Sequence, residues 1–235
     1  MQVSFVTLFP DAVLAAVRHS ILKRAEDACI AQFAAINPRD FATDNHKTVD
    51  DEPYGGGAGM VLKPDIVAAA IESAEPEGAC VVFTDPNGEL FSEEAAGYLA
   101  EQARIIFVCG HYEGIDERVA QKYATKRYSI GDYILTGGEL PAAVMADAVV
   151  RRLPGVLGCA QSLDQDAFGD GLLTYSQYTR PAEWEGLSVP EVLLSGNHQE
   201  IAAWRRKERL ALTRKTRPDL FARATLSKDD LKLLQ

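Results

Sequence analysis

The chain has 235 residues, 47% of them hydrophobic and 25% charged, with a net charge of −10. That composition is of a soluble globular protein, either one large domain or a main domain with an appendage. No apolar run reaches the ~18 residues of a membrane span, and Val3, Phe5 and Thr7 begin a strand pattern at once, which argues against both a membrane protein and a secretory leader.

In chain order, the alternation of Val3–Leu8 predicts a strand, and Asp11 caps a helix carrying Leu14, Val17 and Ile21 on one face. Cys29–Ile36 is strand-like, residues 42–60 form a polar, glycine-rich loop, and Pro64 opens a helix through Ile66, Ala70 and Ile71. Ala79–Phe83 predicts a strand, Ser92–Ala103 a helix, Ile105–Cys109 a strand and Leu140–Leu153 a buried helix. Strands alternating with helices mean a mostly parallel α/β sheet, in which ligands sit beyond the carboxyl ends of the strands. Residues 158–173 are small, polar and acidic and read as a flexible linker. Asn197 with Glu200 marks the start of a helical tail. The expected organisation is thus an α/β domain over 1–157, the linker over 158–173 and a helical domain over 174–235.

The cysteines (Cys29, Cys80, Cys109, Cys159) are far apart and three lie in apolar runs, as expected of buried, reduced thiols in a cytoplasmic protein. Charge is uneven. From His198 to Gln235 ten Lys or Arg face five Asp or Glu, a surplus of +5, whereas the remainder carries −15. Such a net charge argues against broad nucleic-acid binding, but an acidic body can hold a cationic small molecule while a basic tail meets phosphate. The same tail also reads as a solvated helix surface.

Two glycine-dense blocks follow strand-like runs: Cys-Gly-His-Tyr-Glu-Gly-Ile-Asp-Glu-Arg (109–118) and Ser-Ile-Gly-Asp-Tyr-Ile-Leu-Thr-Gly-Gly-Glu-Leu-Pro (129–141). Glycine turns bring bare backbone donors and acceptors close to a ligand, so a small polar molecule is expected between them. His111 in the first block is a candidate for lining that site, whereas His19 reads as structural. Tyr54-Gly-Gly-Gly-Ala-Gly-Met60 lacks the Gly-Lys-Ser/Thr ending of a phosphate loop and the third glycine of a dinucleotide fold, leaving a flexible loop or one that packs against a flat ligand. No metal-ligand spacing and no Ser–His–Asp arrangement is present.

The strings Pro-Tyr-Gly-Gly-Gly-Ala-Gly-Met (53–60), Gly-His-Tyr-Glu-Gly-Ile-Asp-Glu-Arg (110–118), residues 129–141, Pro-Gly-Val-Leu-Gly (154–158), Tyr-Thr-Arg-Pro (178–181) and Leu-Leu-Ser-Gly-Asn-His (193–198) occur in this order. Together they resemble the bacterial tRNA (guanine-N1)-methyltransferase family over nearly the whole chain. The resemblance implies a homodimer with a deep trefoil knot (the SPOUT type) and an active site at the subunit interface. It also implies S-adenosylmethionine as methyl donor and the guanosine at position 37 of tRNA as acceptor. It admits magnesium as an aid to activity. Carried onto this chain, the donor site comprises Phe83, Thr84 and Pro86; Gly110, Tyr112 and Glu113; Ile130, Gly131, Tyr133, Leu135, Gly137 and Gly138; and Pro141. Glu113 is the candidate for the donor's charged end.

The resemblance makes Asp166 the catalytic base and Arg151 its arginine. N1 of guanine must lose a proton, a carboxylate near pKa 4 is a weak base for it, and a guanidinium on O6 offsets the developing charge. Chemistry alone does not separate Asp166 from Asp164; register with the family does. Arg205, Arg206, Lys207 and Arg209 become candidate phosphate contacts. The chain departs from the family at Thr174-Tyr175-Ser176, where Asp and Pro are usual, and at Asp85, where Ser or Thr is usual. A non-catalytic RNA-binding protein of the same fold and a nucleotide hydrolase are the alternatives, disfavoured by the presence of Asp166 with Arg151 and by the missing phosphate-loop ending.

Overall fold

Residues alternate sides along a strand, and the sequence uses both sides here. In a computed structural model, which describes residues 1–158 and 167–234, five strands form one parallel sheet: β1 (Gln2–Val6), β2 (Gln32–Ile36), β5 (Cys80–Leu90), β6 (Arg104–Cys109) and β7 (Lys126–Ser129), in the order β2-β1-β6-β5-β7. Val3, Phe5, Val82, Ile105 and Phe107 face one layer, and Val6, Val81, Ile106 and Val108 face the other. Phe5 and Phe107 are register partners whose rings stack at 5.6 Å.

The first layer holds α1 (Pro10–Val17), α2 (Ser20–Asp27), α4 (Glu93–Ala100) and α6 (Glu139–Val150), anchored by Val13, Val17, Leu99, Met145 and Val149. The second holds α3 (Pro64–Ser73), with Ile66, Val67, Ala70 and Ile71, and α5 (Glu117–Tyr123), with Val119 and Ala120. Proline at the first turn of α3 and the Ser92 side chain accepting from the Ala95 N–H at α4 start these helices where the sequence places them. The predicted parallel α/β sheet is what forms. Two short antiparallel pairs stand outside it, β3 (Asp50–Asp51) with β4 (Val61–Leu62), and β8 (Glu183–Trp184) with β9 (Leu187–Ser188).

Four expectations are corrected. The helix expected to carry Leu14, Val17 and Ile21 on one face is two helices, because the chain turns at Ser20 (φ 47°) so that α2 buries Leu22 and Ala25 instead. The second strand starts at Gln32, since Cys29 (φ 56°) belongs to the turn that closes α2. Cys29 is exposed rather than buried, whereas burial at Cys80 and Cys109 pushes both thiols up. Lastly, α5 and β7 were not expected.

The chain divides into two compact units, Met1–Gly158 and Cys159–Gln235. The second is built on α8 (His198–Thr216), capped by the Asn197 side chain, with α7 (Glu191–Leu194), α9 (Pro218–Arg223) and α10 (Lys228–Leu233). Arg206 donates to both carboxylate oxygens of Asp230 (2.6 and 2.9 Å) and to Asp170 (2.7 Å). Arg209 donates to Asp170 and to the Leu173 carbonyl. Asp170 and Leu173, part of the expected flexible linker, are therefore held in this unit, while residues 159–166 lie outside the described residues. The Arg206 guanidinium holds the Asp230 carboxyl well below its ordinary 3.8. Burial opposes the charge on Asp170, but Arg209 and Arg206 outweigh it and hold that pKa down too.

Carboxylates with depressed folded-state pKa stabilise fully above the unfolded value and lose that stabilisation as pH falls through the folded one. The second unit should therefore weaken progressively as pH drops below about 4, and Asp230→Asn should cost it about 2 kcal/mol at neutral pH. Denaturant melts followed by the fluorescence of Trp204, in α8, check both; an acid-insensitive midpoint would contradict the role given to the network.

Candidate active site

The carboxyl ends of β5, β6 and β7 open into a cavity of about 390 Å³. Its walls are the turn after Phe83, the first glycine block and the second glycine block. Every residue expected at the donor site lines it: Phe83, Thr84 and Pro86; Gly110, Tyr112 and Glu113; Ile130, Gly131, Tyr133, Leu135, Gly137 and Gly138; and Pro141 at the start of α6. His111 lines it as well. The volume falls within the range of small-molecule sites, ~300–1,000 Å³.

Backbone-to-backbone packing shapes the floor. The Gly138 N–H donates to the Gly110 carbonyl at 2.8 Å, joining the two blocks. A Cβ at Gly138 would stand 2.0 Å from Thr84 Oγ1 and 2.9 Å from both Cys109 Cα and the Gly110 nitrogen, so only glycine fits. Tyr112 sits at φ 58° with its ring half in solvent, an uncommon conformation for a residue with a side chain. His111 packs against the Phe9 and Tyr112 rings at 5.1 and 4.8 Å, and its buried Nδ1 has no hydrogen-bond partner among the described residues. Below the floor, Thr7 Oγ1 donates to Glu139 at 2.8 Å.

Glu113 and Glu117 give the rim its acidic character, as expected for a cationic ligand. The sequence pattern did not point to Arg127, whose guanidinium pairs with Asp85 and Glu117 across the rim. Hydrogen bonds to Glu117 and then Asp85 raise its pKa further. No local signal marks this pairing, because Asp85 and Arg127 belong to strands far apart in sequence. The glycine loop 54–59 lies outside the cavity lining. Its end is tied to the first glycine block: a Cβ at Gly59 would stand 2.3 Å from Glu113 Oε1, and just beyond it the Glu113 N–H donates to the Met60 carbonyl at 3.0 Å and the Leu62 N–H to the Gly114 carbonyl at 2.9 Å.

Of the two expected catalytic residues only Arg151 is described, and it does not line this cavity. Asp166, like Asp164, lies outside the described residues. Arg151 is the C-cap of α6, its backbone N–H on the Asp147 carbonyl. At 1.5 Å per residue it stands about 20 Å along the helix axis from Gly138. Among the described residues, no group of three or more His, Cys, Asp or Glu could hold a metal ion, so no ligand set for magnesium is found. Among the described residues, no helix is long and apolar enough to cross a membrane.

The family model described as tRNA (Guanine-1)-methyltransferase TrmD matches residues 1–223. The chain belongs to this family. Among its relatives, the tRNA (guanine-N(1)-)-methyltransferase of Staphylococcus carnosus is 50% identical over 236 aligned residues, covering 100% of this chain and 96% of the relative. That of Dictyoglomus turgidum is 47% identical with the same coverage, and that of Staphylococcus aureus 49%. The six strings that suggested the tRNA (guanine-N1)-methyltransferases therefore sit within an end-to-end likeness to them.

The four candidate phosphate contacts differ in their surroundings. Arg206 and Arg209 commit their donors to Asp230, Asp170 and the Leu173 carbonyl, leaving Arg205 and Lys207 as the exposed cations of that run. Arg205 lies 4.8 Å over the Tyr175 ring, at one of the positions that depart from the family pattern.

Proposed function

We propose that this protein transfers a methyl group from S-adenosylmethionine to N1 of the guanosine at position 37 of tRNA, acting as a cytoplasmic, knotted homodimer. The observation that carries the reading is the cavity between the two glycine blocks, in a chain that shares its full length with tRNA (guanine-N1)-methyltransferases.

The residues present fit the donor. Gly138 leaves bare backbone where any side chain would intrude, and Glu113 gives the rim a carboxylate. Bound there, S-adenosylmethionine supplies an electrophilic methyl on a sulfonium. Phe83, Thr84 and Pro86 on one side and Ile130 through Pro141 on the other would hold it, with Glu113 favouring its positive charge. Asp166 would accept the N1 proton and Arg151 would hydrogen-bond O6 as negative charge develops there, so that N1 could take the methyl group that the donor would supply.

Dimerisation is supported by α6. Leu140 and Val144, one helical turn apart, are 62% and 52% exposed, and Ile134 before the helix is 80% exposed. A second copy packed antiparallel on that face would cover this apolar surface and bring Arg151 of one chain toward the donor cavity of the other, removing the separation along the helix.

Incubation with methyl-labelled S-adenosylmethionine and unmodified tRNA, followed by nuclease digestion and mass spectrometry, should yield 1-methylguanosine from position 37. Cofactor binding without methyl transfer would favour the non-catalytic RNA-binding alternative. Neutralising Arg205 and Lys207 together should weaken tRNA binding and lower the slope of its salt dependence by roughly one for each phosphate no longer neutralised, with donor affinity unchanged. An unchanged slope returns these residues to plain surface.

A further inference from the structure

Strand β5 pairs with β7 twice at the same residue: Thr84 and Glu89 are both partners of Tyr128, and residues 85–88 leave the ladder between them. That excursion forms one wall of the donor cavity through Asp85, Pro86 and Asn87. A segment outside the ladder has no sheet hydrogen bonds to fix it, so its position depends on side chains.

Arg127 supplies them. Its Nε donates to Asp85 Oδ2 at 2.8 Å and its Nη2 joins the same oxygen, while Nη1 donates to Glu117 Oε1 at 2.8 Å. Asp85 Oδ1 meanwhile accepts from the Asn87 N–H at 2.8 Å, tightening the excursion from within. The far end packs on the same residue: a Cβ at Gly88 would lie 2.5 Å from the Arg127 carbonyl carbon. One guanidinium thus ties together the 85–88 wall, the first residue of α5 and β7, all three contributing to the cavity.

Resting on the donor-site reading above, we infer that Arg127, gripped by Asp85 and Glu117, is a positioning residue that sets the width of the donor cavity, with Asp85 as its principal partner. The pair spans the rim and not the core, and the β5–β7 ladder stands on both sides of it. The planar fork of arginine reaches both acids at once, which an ammonium does not reproduce. Serine at 85 would keep an acceptor for the Asn87 N–H but offer Arg127 no charge.

Calorimetric titration of S-adenosylhomocysteine into the full chain tests this with Asp85→Ser, Arg127→Gln, Arg127→Lys, Glu117→Gln and the Asp85→Ser/Arg127→Gln double variant. Asp85→Ser and Arg127→Gln should each raise Kd about tenfold, and the double variant no further, as expected of coupled partners. Arg127→Lys should resemble Arg127→Gln, and Glu117→Gln should show a smaller loss. KM for the donor should rise in parallel while kcat at saturating donor and thermal midpoints stay near those of the parent. Kd values within about twofold of the parent, additive losses in the double variant, or losses that follow a fall in thermal midpoint would each overturn the inference. Failure of the parent itself to bind the probe would instead sink the donor-site reading and the clasp with it.

Discussion

Asp166→Ala should cut kcat for methyl transfer by about 10²–10⁴-fold while leaving the Kd for S-adenosylhomocysteine essentially unchanged. The described lining of the donor cavity lies within residues 83–141, so binding and chemistry should separate in this variant. A carboxylate is a poor base for the N1 proton unless charge on O6 is stabilised as the proton leaves. Arg151→Ala should therefore cost a comparable factor, and the double variant little more than either alone, because the two act on one transition state. Asp164→Ala separates neighbouring acids and should retain turnover. Near-normal rates in Asp166→Ala, or a loss confined to Asp164→Ala, would remove Asp166 from the mechanism.

Gly138→Ala should all but abolish donor binding and lower stability by about 1–3 kcal/mol. The added methyl would meet Thr84 Oγ1 at 2.0 Å and the backbone of residues 109 and 110 at 2.9 Å, and two of these neighbours are main chain that cannot rotate away. Relief requires parting the two glycine blocks, which breaks the Gly138–Gly110 hydrogen bond and opens the cavity floor. Gly158→Ala is the matching control. Among the described residues nothing stands within 4 Å of a Cβ there, so stability should stay within about 0.5 kcal/mol of the parent. Parent-like donor affinity in Gly138→Ala, measured by titration calorimetry, would show that the floor yields more easily than its geometry allows.

What the sequence revealed follows from what is local. Alternation announced β1, short apolar runs announced β5 and β6, and Pro64, Ser92 and Asn197 announced helix starts, because such patterns and capping are decided within a few residues. The α1–α2 break was invisible, since it depends on how Leu22 and Ala25 meet a layer assembled from distant segments. Strand β7 was missed for a related reason: Lys126-Arg127-Tyr128-Ser129 has one buried side chain and reads as polar loop until β5 pairs with it. The glycine blocks disclosed the pocket, but not the Asp85–Arg127–Glu117 grip across its mouth. Charges scattered over three segments acquire meaning only when a fold brings them together. The roles of Asp166 and Arg151 came from family likeness, because acids in a polar segment and an arginine at a helix end carry no chemistry of their own in sequence.

The hydrogen bond from Gly138 to Gly110 has a bearing on how the protein comes into being. The cavity takes one wall from residues 83–87, a second from 110–117 and a third from 127–141. No two of them make a site. A nascent chain on the ribosome therefore has nowhere to hold the methyl donor until α6 has emerged and docked, long after the first four strands of the parallel sheet have been synthesised. Late, non-local closure of this kind makes folding slow and leaves half-built sheet exposed meanwhile. Added donor should then act on the last stage of maturation, trapping the docked state of α6, and have no influence on the collapse of the strands before it.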